Sequence, residues 1–171
     1  MPETPTPSSA IVEIGTRVLR TRWLMRAPIR LYRARLGFLF GSRTLMLEHT
    51  GRRSGATRYV VLEVIDHPTP DTYVVASGFG DRARWFRNIQ ANPHVHVTIG
   101  THGPASATAR VIPQDEADAA LRTYISRHPR AWERFKSVLE TTLGTPVTER
   151  NTPLPMVGLC LSRSPCRVWP I

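Results

Sequence analysis

The spacing of apolar residues changes along this chain of 171 residues, and the changes divide it. Over residues 11–35 they recur at helical spacing, with Ile14, Val18, Trp23, Met25, Ile29 and Tyr32 among them. Arg17, Arg20, Arg22, Arg26, Arg30, Arg33 and Arg35 fill the polar side. This predicts a basic amphipathic helical segment, broken or kinked at Pro28, which has no N–H to donate. From Arg43 the pattern turns to strands. Residues 44–49, 58–66 and 72–77 alternate or are rich in β-branched side chains, with turn signals between them. His67-Pro68-Thr69-Pro70-Asp71 predicts the loop of a hairpin. A short helix over 82–91 should stop at Asn92-Pro93, because proline disfavours helical geometry in the residue before it. Val95, Val97 and Ile99 share one face of a strand over 94–100, and 105–112 reads as its hairpin partner. Helices over 114–126 and 130–143 follow, separated at Pro129, and 154–161 returns as a strand that can close the sheet. The order predicts an α+β fold, a small, mostly antiparallel barrel with helices packed around it.

Length permits one domain with a real core. Residues 1–10, with Pro2, Pro5, Pro7, Ser8 and Ser9, read as a disordered tail, 11–42 as the basic helical segment and 43–171 as the barrel. No run approaches the ~18 apolar residues of a membrane span, and the first residues lack the basic-then-apolar order of a secretory signal. A cytoplasmic protein is expected. Residues 11–35 either cover a face of the domain or contact an anionic membrane on the cytoplasmic side. Cys160 and Cys166 form no CxxC pair, and both are expected to be reduced.

Charge sharpens this picture only through placement. The net charge is +10, and Lys136 is the single lysine. Such a chain can bind nucleic acid, an anionic membrane or an acidic small molecule. The arginines gather beside two glycine-bearing segments. In the first, Thr50-Gly51-Arg52-Arg53-Ser54-Gly55, the glycines permit a tight turn whose N–H groups point at one small anion. Arg52, Arg53 and Arg58 could hold a phosphate or carboxylate by forked hydrogen bonds, although a plain hairpin turn with solvated charges has the same composition. The second is Ala76-Ser77-Gly78-Phe79-Gly80, followed by Arg82, Arg84, Trp85, Phe86, Arg87 and Asn88.

Three stretches, in this order and spacing, resemble the deazaflavin (coenzyme F-420)-dependent nitroreductase family. They are Leu45-Met46-Leu47-Glu48-His49-Thr50-Gly51-Arg52-Arg53-Ser54-Gly55, the strand end Val74-Val75-Ala76-Ser77-Gly78-Phe79-Gly80, and Arg84-Trp85-Phe86-Arg87-Asn88-Ile89-Gln90-Ala91-Asn92-Pro93. The resemblance covers residues 43–112 well and the late strand near 156–161 loosely. It implies a split β-barrel related to FMN-binding proteins and an oxidoreductase that uses reduced coenzyme F-420 as hydride donor. The expected substrate is an unsaturated or nitro-bearing organic molecule. The family pattern maps the anionic part of the coenzyme onto Arg52, Arg53, Ser54 and Arg58. Ring and phosphate map onto Ala76, Ser77, Gly78, Phe79, Gly80, Trp85 and Phe86, with Val74 among the apolar surface. Many relatives carry Lys after the Ala-Ser pair; here Gly78 follows, so Arg82 or Arg84 would have to supply that cation. A barrel of the same kind holding FMN or haem is the nearest alternative, and a basic nucleic-acid-binding module is one from another class. Against the latter stands the lack of any RNP-like or finger motif.

Other sites are weaker. His94 and His96 share a strand face and with His102 could hold a metal, but alternating polar positions explain them more simply, and no metal site is expected. His128 is a candidate proton donor as well as an ordinary helix-end histidine. Ser77 has no His-Asp support for nucleophilic chemistry. Asp115, Glu116 and Asp118 suit the start of a helix.

Overall fold

Period-two burial organises the strands. In β1 (Thr44–Thr50) Leu45 and Leu47 are fully buried, and the alternate inward positions of its neighbours are equally apolar. Val95 and Val97 of β4 (His94–Ile99), Ala107 and Ala109 of β5 (His102–Val111), and Val157 and Leu159 of β6 (Met156–Leu161) face the same interior. With β2 (Thr57–Thr69) and β3 (Thr72–Ala76) these strands close into a six-stranded antiparallel barrel in the order β1-β2-β3-β6-β5-β4. The computed structural model describes residues 43–161. The expected tail and basic helical segment, residues 1–42, lie outside the described residues.

Helices complete two cores. Between β3 and β4 a 3-10 turn (Gly80–Arg82) leads into α1 (Arg84–Ala91). Trp85, Phe86 and Ile89 of α1 join the barrel interior, where small Ala107 and Ala109 leave them room. Outside the barrel, α2 (Gln114–Arg127) brings Ala117, Ala120 and Leu121 against Val74, Met156 and Leu154. Apolar residues on both faces are therefore required of β3 and β6, and Val74 and Val75 are both fully buried. The last helix among the described residues, α3 (Pro129–Leu143), takes the proline expected to separate the helices as its own first residue and ends at Gly144.

The hairpin loop is shorter than the sequence implies. His67, Pro68 and Thr69 belong to β2, and only the Pro70-Asp71 pair turns the chain. Register shifts between Val64, Asp66 and Thr69 accommodate the donor that Pro68 lacks. His67 also stacks on Tyr73 at 4.1 Å and donates from Nδ1 to the Thr72 carbonyl at 2.8 Å. The expectation of two reduced cysteines is likewise corrected. Cys160 is disulfide-bonded and 3 % exposed, while Cys166 lies outside the described residues. The absence of a CxxC pair carried no information about that bond.

Helix α2 is fastened to β2 by polar contacts. Tyr124 donates its hydroxyl to Glu63 at 2.7 Å, and Arg127 pairs with buried Asp66 at 3.1 Å. Burial pushes the Tyr124 hydroxyl pKa up, and the Glu63 carboxylate pushes it further. At the other end, Asp118 accepts from the backbone N–H groups of Asn151 and Thr152 at 2.7 and 2.9 Å, and from Gln114 at 2.9 Å. Burial alone would raise the Asp118 pKa, but the donors at Thr152, Gln114 and Asn151, aided by Arg122, outweigh it and hold the carboxyl below its usual range. A carboxylate so depressed adds stability above about pH 4, and that stability is lost as pH falls through the folded value. Asp118→Ala should lower the unfolding free energy at pH 7 by on the order of 3 kcal/mol, since two backbone donors lose their acceptor. Urea unfolding at pH 7 and near pH 3.5 checks this: the gap between wild type and variant should narrow at the acid end.

Candidate functional site

The turn between β1 and β2 is closed by its own backbone. Gly51 donates to the Ala56 carbonyl at 2.8 Å, and Gly55 and Ser54 donate to the Gly51 carbonyl at 2.8 and 3.2 Å. Gly55 has φ +66°, a left-handed geometry that an L side chain rarely adopts. A Cβ at Gly51 would stand 3.0 Å from the Ser54 hydroxyl oxygen and 3.2 Å from the Ala56 carbonyl. The Ser54 hydroxyl accepts from the Ala56 N–H at 3.3 Å, so it serves the turn. Arg52, Arg53 and Arg58 are all exposed. Among the described residues, neither Arg53 nor Arg58 forms an ion pair with a carboxylate.

One residue of α1 fixes this turn from below. The Asn88 side-chain oxygen accepts from the Arg52 backbone N–H at 3.2 Å and from Arg52 Nη1 at 3.3 Å. Its nitrogen lies 3.3 Å from Nδ1 of His49, which is 5 % exposed. His49 continues the inward row of Leu45 and Leu47 to the mouth of the barrel, directly opposite Arg58 on β2. Burial lowers the His49 pKa most; a hydrogen bond to the Thr50 backbone acts the other way, and the Arg58 charge lowers it further. Neither Asn88 nor His49 stood out as a site residue in the sequence. The usable signal was a polar residue at the third inward position of an otherwise apolar strand face.

The second glycine-bearing segment is more enclosed than the sequence implies. Ser77 is fully buried; its N–H donates to the Pro155 carbonyl at 2.9 Å and its hydroxyl to the Gly80 carbonyl at 2.6 Å. Gly80 adopts φ +62° to close this turn. Gly78 and Gly80 lie under α3, where an added Cβ on either would approach Leu139 or Leu143 to 3.2 Å. Phe79, between them, is 38 % exposed. Trp85 and Phe86 are core residues in edge-to-face contact at 5.9 Å, and Val74 and Ala76 pack toward α2 and α3. Among these residues, then, it is Phe79, with half-buried Gly78 beside it, and not the indole, that the structure leaves at the surface.

Topology sets where the two segments stand. The β1 ladder covers β2 from Thr57 to Glu63, whereas β3 partners begin at Val64. Among the described residues, the ladder of β2 therefore changes partner at Val64. The arginine turn lies at one end of the first half of β2 and the strand-end turn after Ala76 near the other, separated along β2 by roughly 20 Å at strand rise. Helix α1 links them: Arg87 Nε donates to the Asp81 carbonyl at 2.9 Å, and Asn88 reaches the arginine turn. On the β1–β4 side of the same mouth is a cavity of about 420 Å³, lined by Glu48, His49, Thr57, His94, His96 and Ser106 among others. His96 Nδ1 is 3.8 Å from Glu48. No cluster of three or more metal-ligating side chains occurs among the described residues. His128 closes the α2–α3 corner with its ring tilted against Tyr124 at 5.3 Å.

Known proteins can now be set beside this geometry. A family profile described as F420H(2)-dependent quinone reductase matches residues 24–150. A Mycobacterium tuberculosis protein, provisionally named F420H(2)-dependent quinone reductase Rv3178, is 38 % identical over 60 residues. That match takes in 34 % of this chain, and the chain spans only half the length of that relative. The Agrobacterium tumefaciens protein Atu2129, of unknown function, superposes with a TM-score of 0.52 at 20 % identity over 80 % of this chain and 55 % of that one. A structure described as a domain-swapped dimer gives 0.50 at 19 % identity over 90 % and 99 %. These two similarities speak for the fold only. The profile spans most of the barrel and its helices, including both glycine-bearing turns and α1, and on that ground the chain belongs to the F420H(2)-dependent quinone reductase family.

Proposed function

We propose that this protein binds reduced coenzyme F-420 along the first half of β2, between the arginine turn and the strand-end turn, and passes its hydride to an unsaturated or nitro-bearing small organic molecule. A quinone, the substrate class in the family's name, is one such conjugated electrophile. The observation that carries the reading is the pair of exposed guanidinium groups, Arg53 and Arg58, without a carboxylate partner among the described residues, on a turn held by Asn88. The coenzyme ends in phosphate and glutamate carboxylates, so this donor set fits its anionic end. When bound, the deazaflavin supplies a two-electron hydride donor.

The chain's own residues bind, orient and exclude water. Arg52 is held in place by Asn88, leaving Arg53 and Arg58 to grip the anion. Half-buried Val60, Leu62 and Val64 along β2, with Phe79 at the strand-end turn, offer the apolar surface against which a flat ring can lie. Arg82 and Arg84 are both exposed just beyond that turn, and either one would supply the cation that many relatives carry as lysine.

Arg53→Ala should weaken coenzyme binding by about 1–3 kcal/mol, the worth of a charge-assisted hydrogen bond to phosphate. Fluorescence titration of the coenzyme into purified protein measures it. An unchanged affinity would move the anion elsewhere, and no saturable binding by the wild type would defeat the reading. Because part of the attraction is between exposed charges, affinity should also fall as salt rises from low to physiological strength. Purified protein that comes out yellow or red would favour a flavin or haem in the barrel instead.

A further inference from the structure

The two ends of the Asn88 amide face groups of different kinds. Both Arg52 atoms that touch its oxygen are donors, and a guanidinium and a backbone N–H have no acceptor form. The orientation of the amide is thereby fixed, and its NH₂ must point at Nδ1 of His49. Only an imidazole with a bare Nδ1, carrying its proton on Nε2, can accept that hydrogen bond. A protonated ring would set N–H against N–H. To recover a bond the amide would have to turn over, and its NH₂ would then confront the Arg52 donors.

We infer that Asn88 is a positioning residue which holds the arginine turn in its anion-binding shape only while His49 is neutral, so that acid loosens the grip on the coenzyme. This rests on the coenzyme reading above and deepens it. Around His49 stand Arg58 across the β1–β2 ladder, Arg52 through Asn88, and Glu48, His94 and His96 on the shared cavity; from α1 comes Asn88 itself, which is uncharged. The fold agrees with the geometry, since burial, aided by Arg58, disfavours the imidazolium more than the hydrogen bond to the Thr50 backbone favours it. Affinity should therefore be full at neutral pH and fall as pH drops through the His49 value, below the ordinary imidazole range.

The test is calorimetric titration of coenzyme F-420 into the full chain between about pH 7.5 and pH 4.5, a window that runs well below the usual imidazole transition. His49→Asn offers a side-chain oxygen that cannot be protonated at these pH values, and Asn88→Ala removes the bridge. Ionisation of the coenzyme itself is common to all proteins and cancels in the ratios. The wild type should lose affinity toward acid several-fold more than His49→Asn, and Asn88→Ala should bind about tenfold more weakly at neutral pH with the same flattened profile, the worth of one such hydrogen bond. Equal acid loss in wild type and His49→Asn, or an Asn88→Ala affinity equal to wild type, overturns the inference while leaving the coenzyme reading intact. A second measurement is independent of the coenzyme and of the variants' affinity. The Arg52 backbone amide resonance of the free wild-type protein should shift in step with His49 ring protonation, and a resonance that ignores that titration overturns the inference even if nothing binds.

Discussion

One long strand serving two neighbours governs this molecule. β2 has 13 residues, and its ladder changes partner midway, from β1 up to Glu63 to β3 from Val64 onward. The register shifts after Val64 give the strand the twist it needs to close a six-stranded barrel, and they absorb Pro68 in passing. A β3 of only five residues cannot cover the rest of β2. The chain leaves β3 early, turns at Ser77 and sends α1 across the barrel end. The function proposed stands along the first half of β2, with arginines at one end and small residues at the other.

The barrel end illustrates how a core residue and a site residue can share a helix. Trp85, Phe86 and Ile89 anchor α1 in the barrel, so Asn88 on the same helix has little freedom to move. A polar amide at 7 % exposure is tolerable there because both its ends are hydrogen-bonded. The arginine turn thus inherits its rigidity from hydrophobic packing, which lowers the entropy cost of ordering it around a ligand.

Much of this was readable from the chain. Alternation in Leu45, Leu47, Val95 and Val97 marks strands, Pro93 and Pro129 mark helix limits, and the hairpin order leads to a barrel. The two glycine-bearing turns also stood out, since left-handed backbone is needed at Gly55 and Gly80. What composition could not convey was depth. Trp85 and Phe86 beside arginines read as a platform for a ring, but α1 directs them inward, where Ala107 and Ala109 leave space. Ser77 read as a phosphate contact, but its hydroxyl closes a local turn. Asn88 and His49 were invisible because their meaning lies in a contact across 39 residues of chain.

Helix α3 differs from its neighbours in one respect: none of its residues is buried. It rests on the strand-end glycines only through the tips of Leu139 and Leu143. Its hold on the outer core is through half-buried Trp132, Leu139 and Leu143, so its amides are expected to exchange with solvent before those of the buried strands β3 and β6. The roof over the small-residue turn is thus its most weakly held part, and a bulky reactant could reach Gly78 and Phe79 without any rearrangement of the strands beneath.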